Sequence, residues 1–312
     1  MRIGLPLMTT SAAPGELARI VAAARDIESQ GFQSAWIHTW SVPPSGPFVA
    51  GMDPLAALTA AAGATSTLEL GTAVVPTYHR PPPVMAQGAL TVESAAPGRF
   101  VLGLGVSHKS EVEDVMGIPY EPPARQMRAY LRAFLPILDG GPMDHRDGRL
   151  SVRNFQIPGA ERMPVLVAAM GPMMLKVAGE LADGTVTGLA GPRTLESHIV
   201  PSILAAAEAA ERPRPRIVAQ ATFAVTADED AARAALRAGM AGYATLPAYR
   251  AMLEREGVAR PEDIAVVGDA ATVRQAIRRL EDLGATDVFA AIVPLDEATV
   301  RRTTEALADC AG

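Results

Sequence analysis

Four stretches of the chain carry side chains that could do chemistry, and each follows an apolar run of strand length: His38-Thr39-Trp40, Ala73-Val74, Ser107-His108-Lys109 and Met170-Gly171-Pro172-Met173. The third is the richest. Residues 99–105 read as a buried strand that passes through two glycines one residue apart, Gly103 and Gly105, before ending in a hydroxyl, an imidazole and an ammonium. Lacking a Cβ, such glycines let the backbone come close to a flat ligand, although Gly-x-Gly is also an ordinary way to turn a corner. An imidazole titrates near neutral pH, so His38 and His108 suit a general acid or a hydrogen-bond donor to a cofactor. Trp36 belongs to the core, and Trp40, further out on the same alternation, is expected to form an aromatic wall. The stretch Ala169-Met170-Gly171-Pro172 runs from a strand into a helix with proline at its first position, where free amides and the dipole favour an anion such as a phosphate. Read as plain structure, the same stretch is an αβ junction with glycine for tightness.

For these stretches to act together, the intervening elements must bring them to one face. The apolar runs 2–8, 34–38, 68–75, 100–105, 164–169, 183–187, 216–222 and 287–293 read as eight strands, and helical repeats separate them. Pro14-Gly15-Glu16, Asp53-Pro54, Pro81 to Pro83 and Glu121-Pro122-Pro123 are helix starts. This alternation predicts an α/β fold, a (β/α)8 barrel formed by a single domain over residues 1–312. An insertion is expected at about 139–162, where Asp147-Gly148 marks a hairpin. A doubly wound sheet is the competing topology, but the first strand-to-helix turn, residues 9–15, lacks a glycine-rich dinucleotide fingerprint. In a barrel the C-terminal strand ends share one rim, so positions near 38, 73, 107 and 171 converge there.

Composition narrows the function. A formal charge of −6, from 28 basic and 34 acidic residues, leaves no excess of cations for a nucleic-acid surface. No apolar run approaches the ~18 residues of a membrane span. The first eight residues are too short for a signal core, and the single cysteine, Cys310, excludes a disulfide framework, so a cytoplasmic enzyme is expected. Histidines at metal-ligand spacing are absent, so no metal is expected. The second helix carries Leu55, Leu58, Ala61 and Ala62, an apolar stripe that predicts a homodimer, with an alanine-rich core helix as the plain alternative.

The segments Gly31-Phe32-x-Ser34-x-Trp36, Leu70-Gly71-Thr72-Ala73-Val74-Val75, Gly98-Arg99-Phe100-x-Leu102-Gly103-x-Gly105, Pro164-Val165-x-Val167-Ala168-Ala169-x-Gly171-Pro172 and Ala182-Asp183-Gly184 together resemble the bacterial luciferase-like superfamily. Within it the chain is most similar to oxidoreductases that use coenzyme F420, a deazaflavin. The resemblance implies a barrel with insertions and a cofactor lying across its C-terminal mouth. It also implies that Ala73-Val74 forms a bulge, often with a non-prolyl cis peptide, behind the tricyclic ring. By the same warrant Gly105, Ser107 and His108 lie beside the ring and ribityl chain, with His38 close by. Ala169, Met170, Gly171 and Met173 match a phosphate-binding turn.

Alcohol-oxidising members commonly carry Asp-His where this chain reads Thr39-Trp40. That departure favours reduction of a C=C or C=N bond in a small hydrophobic or conjugated substrate, with His38, His108 and Trp40 as catalytic candidates. An FMN-dependent monooxygenase of the same superfamily is the alternative. Outside that class stand a metal-independent barrel hydrolase or lyase and a cofactor-binding protein without turnover.

Overall fold

The computed structural model describes residues 1–9, 11–41, 49–147 and 150–311, leaving aside the side chains of Trp40, Ser41 and Ala238. Eight parallel strands form its centre: β1 (Arg2–Leu7), β2 (Ser34–Ile37), β3 (Glu69–Thr72), β4 (Phe100–Gly105), β5 (Val165–Ala168), β6 (Gly184–Val186), β7 (Arg216–Val225) and β8 (Asp287–Ile292). Each pairs with its sequence neighbour, and β8 pairs with β1, so the sheet closes into a (β/α)8 barrel. The strands are nearly continuous apolar runs because helices cover their outer faces and side chains fill their inner ones. All six residues of β4 are buried.

Side-chain alternation decides what fills the barrel. Trp36, Val101, Leu166, Val186, Val218 and Phe289, one from each of β2 and β4 to β8, form an inner apolar cluster. The Trp36 indole takes the space that β1 and β3 leave by placing glycine opposite it. A Cβ on Gly71 would stand 2.3 Å from the indole, and one on Gly4 2.7 Å from its nitrogen. A larger cluster, including Ile20, Leu58, Met85, Phe134, Leu175 and Ile277, lies between strands and helices.

Helices begin where the sequence places caps. Asp53 accepts from the amide of Ala56 at 3.0 Å, Asp269 from Thr272 at 2.8 Å and Asp296 from Thr299 at 2.6 Å. Proline opens the helices Pro54–Ala62, Pro82–Ala95, Pro123–Leu138 and Pro172–Leu181. The alanine-rich face of the helix Pro54–Ala62 is core: Leu55, Leu58, Ala61 and Ala62 are each 3% exposed or less within the chain itself. The stripe read as a dimer surface is therefore already covered by its own barrel.

Two excursions leave the barrel rhythm. Between Pro123–Leu138 and β5, Met143–Asp147 and Leu150–Phe155 pair antiparallel; residues 148 and 149 of the Asp147-Gly148 turn lie outside the described residues. Between β7 and β8 the chain forms the helices Glu229–Met240 and Pro247–Glu256, then a short strand, Val266–Gly268, that pairs with the extended end of β7. The added strand is only three residues long, too short for a period-two pattern to show in the sequence.

Candidate functional site

The local structure at the mouth follows from the same alternation. Two residues beyond inner-layer Trp36 comes His38; beyond Val218 come Gln220 and Thr222; beyond Val186 comes Gly188; beyond Phe289 comes Ala291. All of these later residues line a cavity of about 300 Å³ at the C-terminal end of the barrel. Apolar positions plug the barrel, and polar ones on the same faces rise above the plug. The His38 ring rests on Phe289, with centroids 5.1 Å apart.

One wall of the cavity is a break in β3. Leu70 pairs with Phe100, and the strand resumes at Val75, which pairs with Leu104. Five steps on this side therefore face four on β4, the signature of a one-residue bulge. The Ala73–Val74 peptide within it is cis. Three contacts hold the bulge. The Thr72 hydroxyl donates to the carbonyl of Gly103 and accepts from its amide, both at 2.8 Å, and the Thr39 hydroxyl donates to the Val74 carbonyl at 2.8 Å. Gly103 and Gly105 are needed because the bulge crowds them. A Cβ at Gly103 would lie 2.0 Å from the Thr72 carbonyl oxygen, and one at Gly105 2.5 Å from Val74 Cγ2. The close approach read from the sequence is thus made by the chain's own backbone, and Ala73 and Val74 present the resulting surface to the cavity.

Opposite the bulge, Ser107 adopts a left-handed backbone conformation (φ 59°) and leads into a turn of π-helix, Glu111–Val115. This turn carries Glu111 back under the strand end. Its carboxylate is 2% exposed; Oε2 accepts from the Ser107 hydroxyl and, at 3.3 Å, from the His108 amide. The other oxygen, Oε1, is buried without a hydrogen-bond partner among the described residues. The His108 ring tilts against Tyr249 at 5.7 Å. Tyr249 and Tyr243, from the excursion after β7, meet edge-on at 4.9 Å, and Leu236 and Met240 complete that side.

Both strand-end imidazoles are tuned by these surroundings. Burial pushes His38 below the ordinary histidine value, and a hydrogen bond with the Ala73 backbone opposes the shift without overcoming it. His108 is lowered for the same reason, against the attraction of Glu111 for a proton on its ring. Burial first, then the charges of Tyr243 and Glu111, raise the Tyr249 hydroxyl.

Of the four stretches expected at one rim, three line the cavity: His38, Ala73-Val74 and Ser107-His108. The fourth does not. Ala169 is buried, the Met170 carbonyl meets His198 Nε2 at 2.7 Å, and Gly171 and Met173 are exposed at the start of the helix Pro172–Leu181, at the end of neighbouring β5. Trp40 pairs through its backbone with Ala50, but its side chain lies outside the described residues. Lys109 turns to solvent and pairs with Glu113 at 3.6 Å.

Sequence reasoning missed Glu111, Gln220, Thr222, Tyr243 and Tyr249. Gln220 and Thr222 had a signal, being polar residues at alternate places in an apolar strand. Glu111 had none, because only the π-turn returns it to the cavity.

The model of the luciferase-like monooxygenase family matches residues 1–287. The chain belongs to that family. A 5,10-methylenetetrahydromethanopterin reductase of Methanopyrus kandleri is 29% identical over 270 residues, covering 78% of this chain and 74% of the relative. Among solved structures, the coenzyme F420 dependent tetrahydromethanopterin reductase from Methanopyrus kandleri superposes with a TM-score of 0.76 at 23% identity, covering 98% of this chain and 96% of that one. The oxygenating constituent of 3,6-diketocamphane monooxygenase from Pseudomonas putida, in complex with FMN, gives 0.73 at 17% identity, covering 99% and 96%. At these identities the two structures speak for the fold. Family membership makes the protein an oxidoreductase or monooxygenase, of a kind that works with a flavin or deazaflavin.

Proposed function

We propose that this family member is an F420-dependent oxidoreductase acting on a small, hydrophobic or conjugated organic substrate, with reduction of C=C or C=N favoured over alcohol oxidation. The observation that carries the reading is the meeting of His38, the Ala73–Val74 bulge and Ser107-His108 around one cavity with an apolar floor. A planar tricycle fits that chemistry. The bulge offers a flat, apolar backing made rigid by Thr39 and Thr72, while Ser107 and His108 present polar atoms along one edge. When bound, the reduced deazaflavin supplies a hydride; the protein contributes orientation and a water-poor enclosure. His38 and His108 are held neutral by burial at neutral pH; His38, with one ring nitrogen engaged by the Ala73 backbone, offers the other to cofactor or substrate, and His108 offers one donor and one acceptor. The exposed helix start at Gly171, with Met170 and Met173, takes the cofactor's phosphate outside the cavity.

The relationship to a methylenetetrahydromethanopterin reductase supports the choice of F420, and the FMN-bound neighbour keeps the monooxygenase reading as the second. Titration of the purified protein with F420 and with FMN, followed by cofactor fluorescence, separates them. Affinity for F420 at least about tenfold above that for FMN is expected. The reverse order supports the monooxygenase, and failure of both cofactors to bind sinks the proposal.

A further inference from the structure

We propose that the cavity beside Glu111 is a receptor for positively charged nitrogen that carries an N–H, so that the substrate is a compact organic cation: a protonated amine or an N–H iminium. This deepens the reading above, on which it rests, and adds to it that substrate shares the cavity with the cofactor ring.

Glu111 is a carboxylate removed from water with half of its accepting capacity unused, since Oε1 has no partner among the described residues. Among the described residues, nothing in the cavity wall neutralises it. The described lining residues include no lysine or arginine. Lys109, the nearest cation in the chain, pairs with Glu113 at the surface. Burial keeps His38 and His108 from supplying a standing positive charge at neutral pH. A buried charge in this condition is costly until a partner of opposite sign arrives.

The surroundings favour a cation over a neutral donor. Of the chain's 5 tyrosines, four gather here. Tyr243 and Tyr249 line the cavity, while Tyr78 stacks on Tyr120 at 5.1 Å, and the Tyr120 hydroxyl donates to the Ser107 carbonyl at 3.3 Å. Aromatic faces attract cations through the ring quadrupole, most strongly where water is excluded. A carboxylate or phosphate ester would be repelled by Glu111. A neutral N–H or O–H would satisfy Oε1 but leave the charge uncompensated. A protonated amine does both and meets the aromatic wall as well.

Three probes sharing one ring test this: benzylamine in its protonated, ammonium form, benzyl alcohol and benzoate, titrated into the protein at neutral pH and followed by calorimetry. The ammonium is expected to bind about tenfold or more tighter than the alcohol, with benzoate weakest. Glu111→Gln should erase that preference while F420 or FMN affinity, read separately by cofactor fluorescence, stays unchanged. Tyr249→Leu should weaken the ammonium several-fold and leave the alcohol as it was. A wild-type protein without cation preference, or a Glu111→Gln variant that keeps it, overturns the proposal. So does parallel loss of cofactor affinity in Glu111→Gln, which would make the carboxylate a cofactor contact. Should Glu111→Gln fail to fold, full ammonium preference in Tyr249→Leu is the overturning result. Cation preference in a protein that binds neither cofactor leaves the receptor standing and removes the oxidoreductase reading.

Discussion

The two ends of the barrel treat buried charge in opposite ways. At the N-terminal end, Arg216 of β7 enters between Asp287 of β8 and Glu69 of β3. Its Nε reaches Asp287 at 2.9 Å and its Nη1 reaches Glu69 at 3.0 Å, while Arg2 adds a second cation to Glu69 at 2.6 Å. The guanidinium also lies 5.8 Å from the Trp36 ring centroid. Burial works against its charge, yet the carboxylate hydrogen bonds override this and hold Arg216 above the ordinary arginine range. At the C-terminal end Glu111, 2% exposed against 15% for the Arg216 side chain, receives two donors on one oxygen and none on the other, and has no cation beside it among the described residues. The first arrangement is complete within the chain and closes the barrel. The second is left to be completed by what binds. Polar groups buried for stability find their partners in the fold, whereas polar groups buried for function keep some capacity in reserve.

Substitution at each end tests the contrast. Arg216→Ala should have the largest effect, about 3–5 kcal/mol of stability by urea unfolding, because it strands Asp287, whose side chain is 2% exposed, beside Glu69. A loss under about 1 kcal/mol would mean that the ionic plug adds little. Gly103→Ala should cost roughly 1–3 kcal/mol or prevent folding, since its Cβ would sit 2.0 Å from a carbonyl oxygen. Gly171→Ala, with open space at its Cβ position, should change the unfolding midpoint little.

Acid should act through the mouth. His38 and His108 titrate lower in the folded protein than the ordinary value of about 6.5, so the unfolded chain takes up protons first as pH falls. Stability from this source is complete above about pH 6.5 and declines below it until the folded-state values are passed. His38→Asn should flatten the slope of unfolding midpoint against pH in that window; an unchanged slope would show that His38 stays protonated equally in both states. Glu111→Gln, too, is expected to shift stability by no more than about 1 kcal/mol, because the carboxylate gives the fold little that an amide oxygen does not. A loss comparable to Arg216→Ala would erase the difference between the two ends.

Much of this was written locally in the chain. The strand and helix alternation, the proline and aspartate helix starts, and the inward period-two pattern from Trp36 to His38 are short-range features, so the barrel and three of its four rim segments could be read without coordinates. Gly103 and Gly105 were visible too, but their purpose was not: what crowds them is a bulge on another strand, about 30 residues earlier. The apolar stripe on the helix Pro54–Ala62 misled in the same way, because sequence cannot say whether such a stripe meets its own barrel or a second chain.

The sequence by itself determined that this chain folds as a barrel, that the strand ends near His38, Ala73 and Ser107 share its mouth and which family it resembles, because periodicity and capping act over a few residues. Only the tertiary structure decided that Glu111 returns to the cavity while Lys109 leaves it, that Tyr243 and Tyr249 come from an excursion more than a hundred residues away in the chain, and that Arg216 is paired where Glu111 is not. Partnership between charges depends on through-space distance and on exclusion of water, and neither is encoded in spacing along the chain.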